Sequence, residues 1–119
     1  MSQNFQPGDF VVFQLEAGFA MLRVLAIDEA EGDKVWHVAA YDDFYLDVES
    51  AEAAAASPTN LSSRCPHIAL TNRAFESTQT ASISRLPLVE SDTAPLDAWR
   101  NDSGREISDR SVRLMMGLR

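Results

Sequence analysis

Features that would place this chain in an oxidising compartment or a membrane are missing from its sequence. Its 119 residues include one cysteine, which cannot form an internal disulfide. No apolar run approaches the roughly 20 residues that a transmembrane helix needs. The start MSQNFQPGDF has neither the basic nor the apolar region of a signal peptide. We therefore expect one cytoplasmic domain over residues 1–119, long enough to bury a core.

Basic residues are scarce in the first half of the chain. Residues 1–56 carry 11 acidic and two basic side chains, whereas residues 57–119 carry seven acidic side chains and eight arginines. The field of the first half repels the phosphates of nucleic acid and anionic lipid, and it attracts a basic partner. We expect no binding to nucleic acid or membrane through this half. The alternative interpretation is that the acids only face water.

Catalytic and metal-binding patterns are also missing. Cys65-Pro66-His67 brings a thiol near an imidazole in sequence, but no third residue is indicated that would orient the imidazole. The two histidines and the cysteine lack the spacing of zinc ligands, and the acidic stretch DEAEGD does not match a calcium loop. We therefore expect a protein that is not an enzyme and holds neither a metal nor another cofactor.

Hydrophobic alternation predicts that strands come first. Pro7-Gly8-Asp9 is a turn signal before an apolar run, and Gly18 follows the break between the first two runs. The second run is apolar on both faces, which indicates a strand covered on both sides. The predicted strands are 10–15, 19–27, 34–41, 67–70 and 78–88.

Two helices complete the prediction. The alanine-rich stretch 48–56 favours a short middle helix that Pro58 would end, whereas 89–101 is rich in turn residues. Ser103-Gly104-Arg105-Glu106 matches a capping box, which predicts a C-terminal helix from about Arg105. The expected fold is α+β and mainly β, with about five strands in a small, strongly bent antiparallel sheet or an SH3-like barrel.

The segment DDFYLD is the best candidate for contact with a partner. Aromatic side chains supply contact area, and surrounding charges of one sign supply steering and specificity. The alternative is that the aromatic pair caps the sheet. The candidate partner-binding residues are Asp28, Glu29, Glu31 and Asp33 in the acidic loop, and Asp42, Asp43, Phe44, Tyr45 and Asp47 in and around DDFYLD.

The order Pro7-Gly8-Asp9, apolar strand, Gly18 and Arg23-Val24-Leu25 resembles the opening of a family of bacterial immunity proteins from polymorphic-toxin systems. The later Leu86-Pro87-Leu88, followed by Trp99, is compatible with that family. The resemblance implies an SH3-like barrel that binds and neutralises a toxin enzyme encoded beside it. It assigns no functional residue, and oligomeric state stays open.

Two other functions remain open at this point. A small-molecule-binding barrel would line a cavity with Trp36, Phe44 and Tyr45. A nucleic-acid-binding module would need a continuous basic face made by the C-terminal arginines, which alternate with acids in the sequence.

Overall fold

The computed structural model describes residues 5–30 and 32–115, which form a five-stranded antiparallel sheet with helices on both faces. The sheet order is β4-β3-β2-β1-β5. The strands are β1 (Asp9–Leu15), β2 (Gly18–Ala30), β3 (Asp33–Tyr45), β4 (Ser63–Thr71) and β5 (Thr80–Arg85). The helices are α1 (Val48–Ala55), α2 (Asn72–Glu76), α3 (Glu90–Arg100) and α4 (Val112–Met115), with a 3-10 turn at Pro58–Asn60.

The mainly β, α+β class, the five antiparallel strands and the middle helix are confirmed. The sheet is not closed, so of the two forms expected from the sequence the structure has the open antiparallel sheet. Closure would require β4 to pair with β5. Instead, a later segment lies on the outer edge of β4, where Ser108 N donates to Ala69 O at 2.8 Å and Thr71 N donates to Ser108 O at 2.9 Å.

Both faces of the sheet bury apolar side chains, which confirms the expectation that β2 is covered on two sides. On the first face, Val11, Leu22 and Val38 pack in one cluster with Phe75 of α2 and Val112 of α4. The second face has two clusters, one under α1 and one under α3. Their buried residues are Phe10, Val12, Met21, Tyr41, Ala51 and Ala55 in the first, and Leu25, Ala39 and Leu96 in the second.

The turn before β1 joins the central strand β2 to the segment that follows β5. Gly8 has a φ of +96°, its N–H donates to Val24 O at 2.8 Å, and its carbonyl accepts from Leu86 N at 3.2 Å. A side chain at this position would collide with the carbonyl of Leu86. Glycine is therefore required here by both conformation and space.

Arg23 is a buried cation, 3% exposed, in the middle of the second face. Its guanidinium lies over the ring of Phe10 at 4.5 Å and pairs with Asp92 at 3.1 Å. It also donates to the carbonyls of Leu86 and Pro87 at 3.1 and 3.3 Å. One side chain of β2 therefore holds both the segment that leaves β5 and the first turn of α3.

The C-terminal helix is present, but its predicted start near Arg105 is wrong, because its described residues are Val112–Met115. The chain leaves α3 in turns, Trp99 Nε1 donates to Glu106 O at 3.0 Å, and Ser108 then pairs with the edge of β4. Backbone groups of this segment are satisfied by the sheet edge, so the local capping signal does not produce a helix. The only helical residues after it among those described are Val112–Met115.

The stretch predicted to be turn-rich is instead α3, which contains Pro95 in its interior. A proline at that place removes one backbone hydrogen bond and usually ends a helix. Here two contacts of the Asp92 carboxylate stabilise the first turn. It accepts a hydrogen bond from Val89 N at 2.9 Å, and it pairs with Arg23 of β2. Leu96 is buried against the second face of the sheet. Tertiary contacts thus override the local signal.

Across residues 5–30 and 32–115, no helix has both the length and the apolar character needed to span a bilayer.

Replacing Gly8 tests the turn that fastens β1 to the segment after β5. We expect Gly8→Ala to lower the free energy of unfolding by at least about 3 kcal/mol, because the left-handed conformation and the overlap with the Leu86 carbonyl both oppose a side chain. Gly32→Ala is the matched control, since Gly32 has a φ of +85° with no atom within 4 Å. Gly32→Ala should lower the free energy of unfolding, measured in urea, by about 1 kcal/mol. Equal losses would refute the close-approach argument.

Replacing Arg23 tests the buried cation. Arg23→Met leaves the Asp92 carboxylate and two carbonyls without their donor, so we expect a loss of about 2–4 kcal/mol in chemical denaturation. Arg100→Met is the control, because its pair with Asp28 is also an arginine–aspartate contact to α3 but has side chains 44% and 41% exposed. That change should cost under about 1 kcal/mol. Similar losses from the two variants would contradict the role assigned to Arg23.

Candidate functional site

The predicted acidic residues lie at opposite ends of the β2–β3 ladder. Asp28, Glu29 and Asp33 lie beside the hairpin tip, where Ala30 pairs with Asp33, whereas the DDFYLD end of β3 pairs near Phe19. With about 3.3 Å per residue, the ten residues from Asp33 to Asp43 place the two groups roughly 30 Å apart. Glu31 lies outside the described residues. The structure therefore separates the predicted acids into two groups.

The hairpin tip is partly neutralised. Asp28 forms an ion pair with Arg100 at 2.8 Å. Glu29 lies directly across the ladder from Lys34, the basic residue next to exposed Asp33. Opposite charges at facing strand positions attract each other. This end of the hairpin consequently has a mixed charge.

The other end of β3 is an exposed acidic and apolar patch. Phe44 is 51% exposed and Leu46 is 85% exposed, and acidic side chains are exposed on either side of them along the chain. We call this region the acidic–aromatic surface. Its residues are Asp42, Asp43, Phe44, Tyr45, Leu46, Asp47, Glu49 and Glu52.

Two local features hold this surface in place. Leu22 pairs with Ala40 but Ala20 pairs with Phe44, so β3 carries two more residues than β2 between these pairs and forms a bulge. Immediately afterwards, Asp47 caps α1 by accepting from Ser50 N at 2.7 Å. Hydrogen bonds from the side chain and backbone of Ser50 lower the pKa of the Asp47 carboxyl, so this group is negatively charged at neutral pH. The exposed residues therefore lie between a bulge and a helix cap.

A groove of about 450 Å³ lies between the end of β3 and α1. Asp43, Phe44 and Tyr45 line one side, and Ala53 and Ala54 of α1 line part of the other. The hydroxyl of Tyr45 is buried and has no hydrogen-bond partner among the described residues. Burial raises the pKa of this hydroxyl, and the charge of Asp43 raises it further. The phenol therefore stays neutral at physiological pH.

Leu46 and the acids of α1 complete the surface, but they were not among the predicted contact residues. Leu46 is inside the DDFYLD segment, and its exposure follows from its position between the end of β3 at Tyr45 and the start of α1 at Val48. Glu49 and Glu52 are exposed on α1, whose buried side is formed by small alanines. The start of α1 was predicted correctly, so the end of β3 at Tyr45 is the missing information that would have identified Leu46 as exposed.

A second cluster, of titratable residues, was not predicted from the sequence. His37 is fully buried, with Nε2 at 2.9 Å from Asp28 Oδ2 and Nδ1 at 2.9 Å from His67 Nε2. Trp99 packs against both imidazole rings at 5.0 and 5.4 Å between centroids. Arg100 completes the cluster through its pair with Asp28. Residues from β2, β3, β4 and α3 therefore meet at one place.

The hydrogen bonds define the protons in this cluster. A carboxylate only accepts, so His37 Nε2 carries a proton for Asp28. His37 Nδ1 then accepts from His67 Nε2–H when both rings are neutral. Burial, together with the nearby His37 and Arg100, lowers the pKa of His67 to about 4. Burial also lowers the pKa of His37, against the opposing effect of Asp28. At pH 7 both imidazoles are therefore neutral, and the cluster holds α3 against the sheet.

Cys65 and His67 do not come together. Cys65 packs against the first-face core, whereas His67 stacks on His37 beneath Trp99. The ladder between β3 and β4 shifts register after the pair of Val38 with Ile68, so the simple rule that residues two apart share a face does not hold here. Within residues 5–30 and 32–115, no group of three or more potential ligands could hold a metal ion.

The structure does not bring together Trp36, Phe44 and Tyr45, the three residues expected to line the cavity of a small-molecule-binding barrel. Trp36 borders an open groove of about 770 Å³ with Phe5 and Phe75, whereas Phe44 and Tyr45 line the groove beside α1. Among the C-terminal arginines, Arg100 pairs with Asp28 and Arg105 lies over the ring of Trp99 at 5.7 Å. The side chain of Arg113 lies outside the described part.

The histidine pair predicts a pH-dependent stability. Below pH about 6.5 the unfolded chain protonates His67, whereas the folded chain does so only near pH 4. The unfolded state therefore binds more protons in this window, and the free energy of unfolding falls as pH falls. We expect a loss of about 1–2 kcal/mol attributable to this imidazole between pH 6.5 and 4.5, allowing for its partial exposure.

Urea unfolding at several pH values checks this prediction. His67→Gln should remove that part of the pH dependence while the remaining slope from His37 stays. Asp47→Asn is the matched control, because its carboxyl has a lowered pKa and changes stability only at more acidic pH. A pH slope that is the same in His67→Gln and in the unchanged protein contradicts the assignment.

Comparisons with protein families, curated proteins and solved structures gave no match to this chain.

Proposed function

We propose that this chain is a non-enzymatic binding protein that engages a basic protein through the acidic–aromatic surface. The observation that carries the proposal is the exposure of Phe44 and Leu46 between Asp42, Asp43 and Asp47. Apolar side chains supply the area that becomes buried in a complex, and the carboxylates select a partner of opposite charge. Large apolar side chains grouped in this way on a surface are typical of interaction sites.

The geometry favours this end of the sheet over the hairpin tip. At the tip, Lys34 and Arg100 offset part of the negative charge, and the exposed acids surround no exposed large apolar residue among those described. At the acidic–aromatic surface, charge and apolar area coincide. The bulge and the helix cap also hold the residues in position before binding, which reduces the entropy lost on association.

The class of partner follows from the resemblance to immunity proteins. We propose that the basic partner is a toxin enzyme encoded beside this chain in a bacterium, and that binding in the cytoplasm blocks the toxin's substrate-binding surface. A cationic enzyme acting on nucleic acid is compatible, because carboxylates of an inhibitor can occupy the place of substrate phosphates. Other toxin chemistries are compatible as well. The net charge of the chain is −8, which favours rapid association with such a partner.

The test pairs the chain with the protein encoded by the adjacent gene. We expect a stoichiometric complex whose association rate, measured by stopped flow, falls at least about tenfold between low and high salt. Asp42→Lys combined with Asp43→Lys should slow association and weaken the complex by at least about 100-fold, because a steering and a contact charge are both reversed. Growth protection against the toxin should be lost in parallel.

A charge-matched control separates this surface from the overall field. Glu29→Lys combined with Asp33→Lys makes the same change in net charge at the other end of the β2–β3 ladder. It should slow association modestly and leave the dissociation rate unchanged. Equal effects of the two double variants would overturn the acidic–aromatic surface as the contact site. An adjacent gene product that neither binds nor harms cells would overturn the toxin assignment.

A further inference from the structure

The two edges of the sheet differ in how their backbone groups are occupied. On the β4 edge, Pro66 lacks an N–H, and Ser108 forms hydrogen bonds with the backbone of Ala69 and Thr71. At the other edge, β5 pairs with β1, and no second strand of the described part of the chain pairs with it. An edge of this kind is a template for an additional strand.

The register of the hairpin shows which groups of β5 face outward. A two-residue turn joins β1 to β2, so the pair that closes this turn exchanges backbone hydrogen bonds. Bonded and non-bonded pairs alternate, and Val12 lies three positions before the closing pair. Its backbone is therefore directed away from β2 and toward its partner Ala81 on β5. The N–H and C=O groups of Thr80 and Ser82 consequently point away from the sheet.

A bulge limits the regular part of this edge to Thr80–Ser82. The register of the β1–β5 ladder shifts at Ile83, and a bulge of this type bends the strand and interrupts regular pairing. Beyond the bulge, the half-exposed guanidinium of Arg85 pairs with buried Asp9, so the far end of β5 has no net negative charge. A basic segment is therefore favoured at the Thr80 end.

The Thr80 end of β5 borders an open groove that is suited to an apolar side chain. The groove of about 770 Å³ is lined there by Val12, Phe19 and Val48, together with Thr80 and Ala81. The first three of these residues belong to the apolar cluster beneath α1, so this part of the groove lies on the second face of the sheet. In strand addition, main-chain hydrogen bonds supply affinity and a pocket for an alternate side chain supplies specificity.

Acidic side chains surround this corner of the sheet. Glu16 is exposed in the turn between β1 and β2, and exposed Asp47 and Glu49 flank Val48 at the start of α1. Lys34 also lines the groove, but it lies at the hairpin tip, at the other end of the β2–β3 ladder. The corner beside β5 is therefore negative, and through Asp47 and Glu49 it is continuous with the acidic–aromatic surface.

We infer that the Thr80 end of β5 accepts an extended segment of the basic partner as an additional strand, a conclusion that rests on the proposed function. The backbone of the segment forms hydrogen bonds with Thr80 and Ser82. One apolar side chain enters the groove beside Phe19 and Val48. Basic side chains two residues to either side of it lie on the same face of the segment and meet the acids of the corner.

A second copy of this chain fits the same edge less well. α1 lies over β5, because Ala51 and Ala55 pack in one cluster with Ile83. Antiparallel pairing of two β5 strands would bring two α1 helices side by side on one face, with exposed Glu49 and Glu52 on each. Each chain also has a net charge of −8, and like charges placed together repel.

The test uses the unchanged protein and needs no natural partner. The probe is the blocked pentapeptide Arg-Thr-Val-Thr-Arg, in which the valine and both arginines lie on one face of a strand. Hydrogen exchange followed by NMR should show a protected amide at Ala81 in the free protein and rapid exchange at Thr80 and Ser82. At saturation with the pentapeptide, exchange at Thr80 and Ser82 should slow at least about tenfold.

Two altered peptides are the controls for charge and for backbone pairing. The first has glutamate in place of both arginines, so the acids of the corner repel it. The second keeps the arginines but carries N-methyl groups at its second and third residues, which removes N–H donors from both sides of the strand. Neither peptide should slow the exchange of Thr80 and Ser82.

Matched variants make the result specific. Ser82→Pro removes the outward N–H at a place where an edge strand tolerates proline, and it should weaken pentapeptide binding at least about fivefold. Ser82→Ala keeps the N–H and should change binding less than about twofold. Glu16→Gln combined with Glu49→Gln should weaken binding about three- to tenfold. Glu29→Gln combined with Asp33→Asn makes the same change in charge at the hairpin tip and should alter binding less than about twofold.

Several results would overturn the additional strand. These are the absence of saturable pentapeptide binding, binding that leaves exchange at Thr80 and Ser82 rapid, and equal binding by Ser82→Pro and Ser82→Ala. If Ser82→Pro does not fold, exchange in the unchanged protein decides alone. A dimer of the free chain with a protected Ser82 amide would identify a second copy as the occupant instead.

The additional strand and the proposed function fail separately. Salt-dependent binding of the adjacent gene product that is the same in Ser82→Pro and in the unchanged protein refutes only the additional strand. Slowed exchange at Thr80 and Ser82 with the pentapeptide, without binding of the adjacent gene product, refutes only the toxin assignment.

Discussion

The fold depends on a buried guanidinium at the centre of the second sheet face. Arg23 joins its own strand to the segment after β5, which is 63 positions away in sequence, and to the start of α3 that follows it. Removing a charge of this kind from water is costly unless its hydrogen bonds are replaced. Here two carbonyls, a carboxylate and an aromatic ring contact the guanidinium, while its Nε has no hydrogen-bond partner among the described residues. Arg23 holds the start of α3, Leu96 packs its middle against the sheet, and Trp99 and Arg100 hold its end through the histidine cluster.

This arrangement gives the residues of the opening hairpin a structural role. The residues that carry the resemblance to immunity proteins, Pro7-Gly8-Asp9 and Arg23-Val24-Leu25, meet Leu86-Pro87-Leu88 in the fold. They form a structural junction in which a glycine, a buried arginine and two carbonyls fit together. A pattern of this type is required by the architecture. The surface proposed to contact the partner lies elsewhere, beyond the end of β3.

The sequence predicted what depends on local pattern. The positions of β1, β2 and the core of β3 follow from alternation and turn residues, and α1 follows from its alanines and Pro58. What it did not predict depends on contacts between distant residues. The helix containing Pro95 needs Arg23 to hold its start, and the segment at Ser108 finds its partners on the edge of β4. The histidine pair joins residues 30 positions apart. The separation of the acids follows from the length of β3, which was predicted to end at Tyr41 but continues to Tyr45.

The two residues that β3 inserts between the pairs at Ala40 and Phe44 also bear on how this protein changes over generations. Between these pairs Tyr41, Asp42 and Asp43 face only Met21, so the side chains of Asp42 and Asp43 have no paired residue on β2 and substitutions there are expected to leave the register of that ladder unchanged. The residues proposed to contact the partner and the residues that determine the fold are therefore at different positions. Substitutions at the proposed contact residues are expected to need no compensating changes in the core.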